Sequence, residues 1–280
     1  MNKQMKTLLS LLALSLLSPF ILAEPTDVRL AIIIDDLGNS LEKGLDAIAL
    51  PGNITFAVMP HRKHSVTLAT RAGRLGKEVI LHAPMSTVNQ RDLGPGALHE
   101  GLTEQHFKDK LVYAINSIPY VQGVNNHMGS HLTTQKDHML WVMQVLKQKT
   151  LFFVDSRTSA NSLAYQTAIQ SGVHSARRDI FLDNIAHIDH IHQQFKKALA
   201  IAQKYGSAIA IGHPHASTLK YLKAVLPQLN DSHVKLHYVS DLLKAGISSR
   251  PHPDSSITPI NSPSLDQLVR QLQAKNKEVH

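Results

Sequence analysis

The chain is 280 residues long and carries 29 Lys and Arg against 21 Asp and Glu, with 18 histidines and no cysteine. The lack of cysteine excludes disulfides and thiolate metal sites, so any metal must be held by His, Asp or Glu. The formal charge of +8 is spread without a dense basic tract, and aromatics make up only 5% of the chain, which argues against nucleic acid as a partner. At the start, Lys3 and Lys6 precede an apolar run from Thr7 to Ala23. The run is short for a span of about 20 apolar residues, so residues 1–23 are expected to be a cleaved signal peptide that sends the protein to the periplasm. A mildly basic exported protein suits anionic partners such as envelope polymers or lipid headgroups.

From there, short apolar runs alternate with longer amphipathic ones. "VRLAIIIDD" (28–36) is read as a buried strand, and 40–50 as a helix capped by Ser40. Strands follow at 54–60 and 78–85, with a helix over 64–76 between them. A helix at 103–118, capped by Thr103, leads to a strand that begins at 121 and runs into "GVNNHMGSH". Then come a helix (134–148), a strand (151–159), a helix (161–171) and a segment, 174–184, containing a short strand. A long helix (188–205), a strand (207–215) and a helix (216–228) lead to 234–243, which closes a single domain over 24–247.

Continuous apolar strands, each followed by a helix, imply a parallel sheet covered on both faces. Seven or eight such units predict an α/β fold of the distorted (β/α) barrel type; an open doubly wound sheet is the alternative. No glycine-rich fingerprint is present, so no nucleotide cofactor is expected. Residues 248–280 form a tail whose first part, 248–264, reads as Pro/Ser-rich and flexible. It ends in a short helix whose Leu265, Leu268, Val269 and Leu272 form one apolar face. Residues 264–275 are therefore expected to dock on the domain or on a protein partner.

The polar residues fall at strand ends. Asp35 and Asp36 follow the first strand, His82 lies in the third, and Asn125, Asn126, His127 and His131 follow the fourth. Asp155, Ser156 and Arg157 follow the fifth; Arg178, Asp179 and Asp183 lie around the sixth; His213 and His215 follow the seventh. In a parallel barrel these ends open on one mouth, where sites are built. Strict alternation would send the adjacent Asp35 and Asp36 to different sides of their strand. Carboxylates and imidazoles together suit a hydrolytic divalent metal, with Zn²⁺ favoured. His127 and His131, four residues apart, and His82 are the imidazole candidates. His213 and His215 flank Pro214, so at most one of them faces the centre. His187, His190 and His192 enter a helix from a polar stretch and are read as solvated surface. Trp141 and Met143 are read as helix core.

In order, "IIIDDLGNS", "HAPM", "GVNNHMGS", "FFVDSRTS", "FLDN" and "AIAIGHPH" resemble the divergent polysaccharide deacetylase family of bacterial exported proteins, over about residues 28–243. The resemblance implies a deacetylase-like barrel, with Asp35 as catalytic base and Asp36 as metal carboxylate. It implies His82 and His127 as the imidazole ligands, with His131 in reserve, and His213 or His215 as the acid. Asp155 and Arg157 would orient that histidine or bind the acyl group, and Asn125 and Asn126 would support the site. The expected function is a metal-dependent hydrolase that removes acyl groups from amino sugars of an envelope polysaccharide or peptidoglycan-type glycan. The alternatives are a catalytically weak or inactive glycan-binding or envelope-assembly protein on the same scaffold, or another metal-dependent hydrolase such as a phosphoesterase.

Overall fold

The computed structural model describes residues 28–231, 233–246 and 257–277; the expected signal segment and residues 247–256 lie outside them. In chain order the elements are β1 (Val28–Leu37), α1 (Leu41–Ile48), β2 (Ile54–Val58), α2 (Ser65–Arg74), β3 (Glu78–Met85), α3 (Glu104–Asn116), β4 (Val121–Met128), α4 (Lys136–Gln148) and β5 (Phe152–Asp155). They continue with α5 (Ala164–Gln170), β6 (Ser175–Arg177), β7 (Ile180–Phe181), α6 (Ile188–Tyr205), β8 (Ser207–Gly212), α7 (Ala216–Val225), β9 (Val234–Leu236), α8 (Val239–Lys244) and α9 (Pro263–Lys277). Ser40 and Thr103 cap α1 and α3 as the sequence predicts.

The strands form one parallel sheet, ordered β6-β5-β4-β3-β2-β1-β8-β7, with β9 beside the start of β1. Its two end strands, β6 and β7, are consecutive in the chain and separated only by Arg178 and Asp179. The Arg178 amide donates to Asp155 O and the Asp179 amide to Ile209 O, so this short segment passes from β5 to β8 and draws the sheet's edges together. The result is the distorted (β/α) barrel rather than an open doubly wound sheet. The expected single short strand over 174–184 is two, because the chain kinks where it changes neighbour.

Period-two alternation then sorts the side chains. Leu30, Ile32 and Ile34 pack outward against the helices, while Ala31 and Ile33 join Ala57, Ile80, Val154, Ile209 and Ile211 inside the barrel. The base is plugged by Val239, Leu242 and Leu243 of α8. Glu78, buried there, accepts from Thr55 Oγ1 (2.7 Å) and from the amides of Val239 (3.0 Å) and Ser240 (3.2 Å). It thereby ties the plug to β2 and β3.

Part of the segment read as flexible is packed, since Ile257 and Ile260 lie against the outer core, and the terminal helix docks on the domain, one of its two expected places. Residues 257–277 run back along the domain, and Leu265 and Val269 bury against the outer core. The apolar face is thus used within the chain. His192, expected on the surface, is 4% exposed: its Nδ1 pairs with Tyr221 Oη (3.0 Å) and its Nε2 with Asp266 Oδ1 (2.7 Å) on α9. Lys196 Nζ reaches the same carboxylate at 2.8 Å. A helix packed over that face converts a polar surface position into a buried, paired one. Trp141 and Met143 pack in the outer core as expected. No helix among the described residues is long and apolar enough to cross a membrane.

Candidate functional site

At the end of β1 the register against β2 slips: Ile34 pairs with Phe56 but Leu37 pairs with Val58, one residue more on β1 than on β2. Asp36 takes up the extra length with φ +62°, a left-handed conformation that Asp tolerates better than most residues. This bulge defeats strict alternation. It turns both Asp35 and Asp36 towards the imidazole of His82, with Oδ2 of Asp35 at 3.7 Å and Oδ1 of Asp36 at 3.1 Å from Nε2.

His82 follows Ile80 on the inner face of β3, and His127 follows Asn125 on the inner face of β4. His127 Nδ1 is 3.0 Å from Asp36 Oδ1 and 3.0 Å from His82 Nε2. Three ligand atoms from three strands therefore form a nearly equilateral triangle. The network around them fixes the tautomer. The Asn125 amide nitrogen donates to Asp35 Oδ1 at 2.8 Å, which leaves its oxygen to accept from His82 Nδ1–H at 2.7 Å. His82 Nε2 then presents a lone pair to the carboxylate, and Asp36 Oδ1 is buried without a hydrogen bond. A tetrahedral ion about 2.0–2.1 Å from each ligand separates the ligand atoms by roughly 3.3 Å. The triangle, the lone pairs and the unsatisfied oxygen fit such a divalent ion.

Burial by itself would raise Asp36, but the close approach of the His127 and His82 ring nitrogens and their charge hold its carboxyl below the ordinary carboxylate range. Burial pushes Asp35, 2% exposed, upward despite the nearby charges of His82 and His213. Burial opposes protonation of His82, yet the charge of Asp35 and contact with Asp36 raise its pKa; in His127 burial prevails and the pKa falls.

The fourth wall is β8. His213 Nδ1 is 2.8 Å from Asp183 Oδ1, and Asp183 Oδ2 accepts from the His213 amide (2.7 Å) and Thr218 Oγ1 (2.7 Å). Burial lowers the His213 pKa, but the hydrogen bond to Asp183 and the charge of Asp35 outweigh it and raise it to about 9. His213 is therefore an imidazolium at neutral pH. A cavity of about 200 Å³ connects it with Asp36, Ser40 and Lys43. Asp183, His213 and His215 also lie close enough to suggest a second ion. However, both Asp183 oxygens are already occupied by donors, which favours a hydrogen-bonded dyad.

Of the sequence candidates, Asp35, Asp36, His82, Asn125, His127 and His213 converge. His215 is exposed at the start of α7. His131 stands apart from the triangle, 3.6 Å from Glu100. Asp155 does not orient His213: it lies on the outer face of β5, where its oxygens accept from the Arg157 amide, Ser162 Oγ and the Tyr165 amide. Among the described residues Arg157 Nη2 reaches only Ala160 O. Asn126 braces the loop, accepting from the Ser156 amide and donating to Met128 O. Asp183, which holds His213, was visible in "FLDN" but not assigned that part. Alternation after Phe181, which faces the interior, was the available signal.

Residues 32–243 match the divergent polysaccharide deacetylase family. An uncharacterized protein of Escherichia coli, YibQ, is 35% identical over 234 residues, covering 84% of this chain and 72% of that one. An uncharacterized protein of Haemophilus influenzae is 38% identical over 201 residues, covering 72% of each chain. The solved structure of an uncharacterized protein from Agrobacterium tumefaciens has the same fold. Its TM-score is 0.75 at 23% identity, over 77% of this chain and 89% of that one.

Proposed function

This chain belongs to the divergent polysaccharide deacetylase family, and from that premise we propose that it is a metal-dependent hydrolase that removes acyl groups from amino sugars of an envelope glycan. We propose further that residues 1–23 export it to the periplasm and that its ion is Zn²⁺. One observation carries the reading: the triangle of Asp36, His82 and His127 lies beside a second, buried carboxylate, Asp35, and its Asp36 shares the wall of a small cavity with a protonated His213.

A divalent ion bound at the triangle supplies a Lewis acid for the acyl carbonyl and lowers the pKa of water towards about 7. Asn125 fixes Asp35 Oδ1, which leaves Oδ2 to take the proton from the attacking water. Asp183 fixes His213 Nδ1, so the proton on Nε2 is the one given to the departing amine nitrogen. The amide C–N bond breaks, the acyl group leaves as carboxylate, and the two residues recover their starting states through solvent. The apolar barrel beneath, closed by α8, keeps water from approaching Asp35 from below.

The test is elemental analysis of the purified protein together with acetate release from N-acetylglucosamine oligomers. About one ion per chain, lost in an Asp36→Ala/His127→Ala double variant, with acetate released only by the loaded protein, is expected. A native chain that takes up no ion even after reconstitution overturns the reading. Oligomers bound with the ion in place but no acetate released would establish instead a glycan-binding protein on a deacetylase scaffold.

A further inference from the structure

The seam that closes the barrel contains a cation with part of its donor set unspent. Arg178, between β6 and β7, donates from Nε to Ser156 O at 2.7 Å and from Nη2 to Arg157 O at 2.9 Å. Those carbonyls occupy one side edge of the guanidinium. Its plane lies over the Phe181 ring, 3.7 Å from the centroid, and Phe181 in turn stacks on His213 at 6.1 Å. The end edge, formed by Nη1 and the second Nη2 hydrogen, has no hydrogen bond or ion pair among the described residues. Asp155, Asp179 and Asp35 act on Arg178 only as charges at longer range. The Asp155 oxygens face the other way, committed to Arg157, Ser162 and Tyr165.

A largely desolvated cation with no carboxylate in hydrogen-bonding contact among the described residues is unfavourable, and here burial pulls the Arg178 pKa down to about 10. The residue is also rigid, held by two backbone carbonyls and an aromatic face. A fixed guanidinium fork matches a carboxylate in two-point geometry and loses little freedom on binding it. The strand order places this seam on the wall of the mouth away from the ion-binding triangle, next to His213. A glycan that crosses the mouth from the triangle past His213 would bring a neighbouring sugar to the side of the mouth where Arg178 lies.

We propose that Arg178 is a specificity residue that receives the carboxylate of an acidic sugar adjoining the acylated one, so that the substrate is an anionic glycan. The proposal rests on the deacetylase reading above, but its test separates the two. The metal-loaded protein is titrated calorimetrically with three tetrasaccharides: the neutral N-acetylglucosamine tetramer, one alternating with glucuronic acid, and one alternating with N-acetylmuramic acid. At least one acidic probe is expected to bind about tenfold or more tightly than the neutral one, with the advantage shrinking as salt rises. Which acidic probe leads identifies the source of the carboxylate. Arg178→Met should bring acidic and neutral probes to within about twofold of each other, and Arg178→Lys should restore part of the gap. Should Arg178→Met fail to fold by thermal melting, Arg178→Lys and the native ratio still decide. Equal binding of acidic and neutral probes by the native protein overturns the proposal, whether or not acetate is released. An acidic preference without acetate release leaves Arg178 assigned and removes the hydrolase.

Discussion

Two of the carboxylates inside this barrel, Asp35 at the mouth and Glu78 at the base, resemble each other in almost everything but their partners. Both are buried, both are on inner faces of strands, and burial pushes the pKa of both upward. Glu78 is saturated by a threonine hydroxyl and two backbone amides, which fasten α8 under the barrel. Asp35 has one donor, Asn125, and its second oxygen looks onto His82 and the open mouth. Burial therefore does not separate a structural acid from a reactive one. The unspent acceptor does.

The sharpest way to break that comparison is to exchange the consequences. Asp35→Asn keeps an oxygen for Asn125 but cannot take a proton, so acetate release should fall by about 10²–10⁴-fold with metal content and melting temperature unchanged. Glu78→Ala should do the reverse. It should cost about 2–4 kcal/mol in a denaturant melt, because two amides lose their acceptor in an apolar base, while turnover per folded molecule stays within about twofold. If Glu78→Ala loses turnover where it remains folded, the base of the barrel is part of the chemistry.

A smaller effect sharpens the role of His213. Its folded pKa is raised to about 9, so the acid form persists to that pH and activity should decline on an alkaline limb there. Asp183→Asn removes the charge and one of the two acceptor oxygens, so the limb should move down towards the ordinary imidazole value of 6.5. The same raised pKa means that this pair's contribution to stability is full below pH 6.5 and is lost as pH rises through about 9. A pH-rate profile that does not move in Asp183→Asn would remove His213 from the proton transfer. The smallest expected change is at His131. His131→Ala should leave metal content untouched, since its nearest charged partner is Glu100 and not the triangle; loss of the ion would return it to the ligand set.

Much of this site was legible in order of residues. The runs of isoleucine and valine gave strands, and polar residues fell where those strands end. A parallel fold must bring such ends together, so Asp35, Asp36, His82, His127 and His213 could be gathered without coordinates. What misled was facing. "FFVD" is apolar on both sides, so nothing in it says that Asp155 points outward, and two aspartates in a row look like opposite faces until a bulge re-aims one. The histidines at 187, 190 and 192 read alike, yet only His192 meets Tyr221 and Asp266, the latter from a helix 74 residues away.

The sequence alone thus determined the fold class, the chemistry available and the end of the barrel at which it gathers, because periodicity and residue type are local properties of the chain. Only the tertiary structure decided which neighbours each polar group would have. It set the slip in β1 that turns Asp36 inward, the pairing of His213 with Asp183, the crossing from β5 to β8 that leaves Arg178 at the mouth, and the docking of α9 over His192. Those depend on contacts between segments far apart in sequence, fixed when the sheet closes and its side chains must find partners in a space with little water.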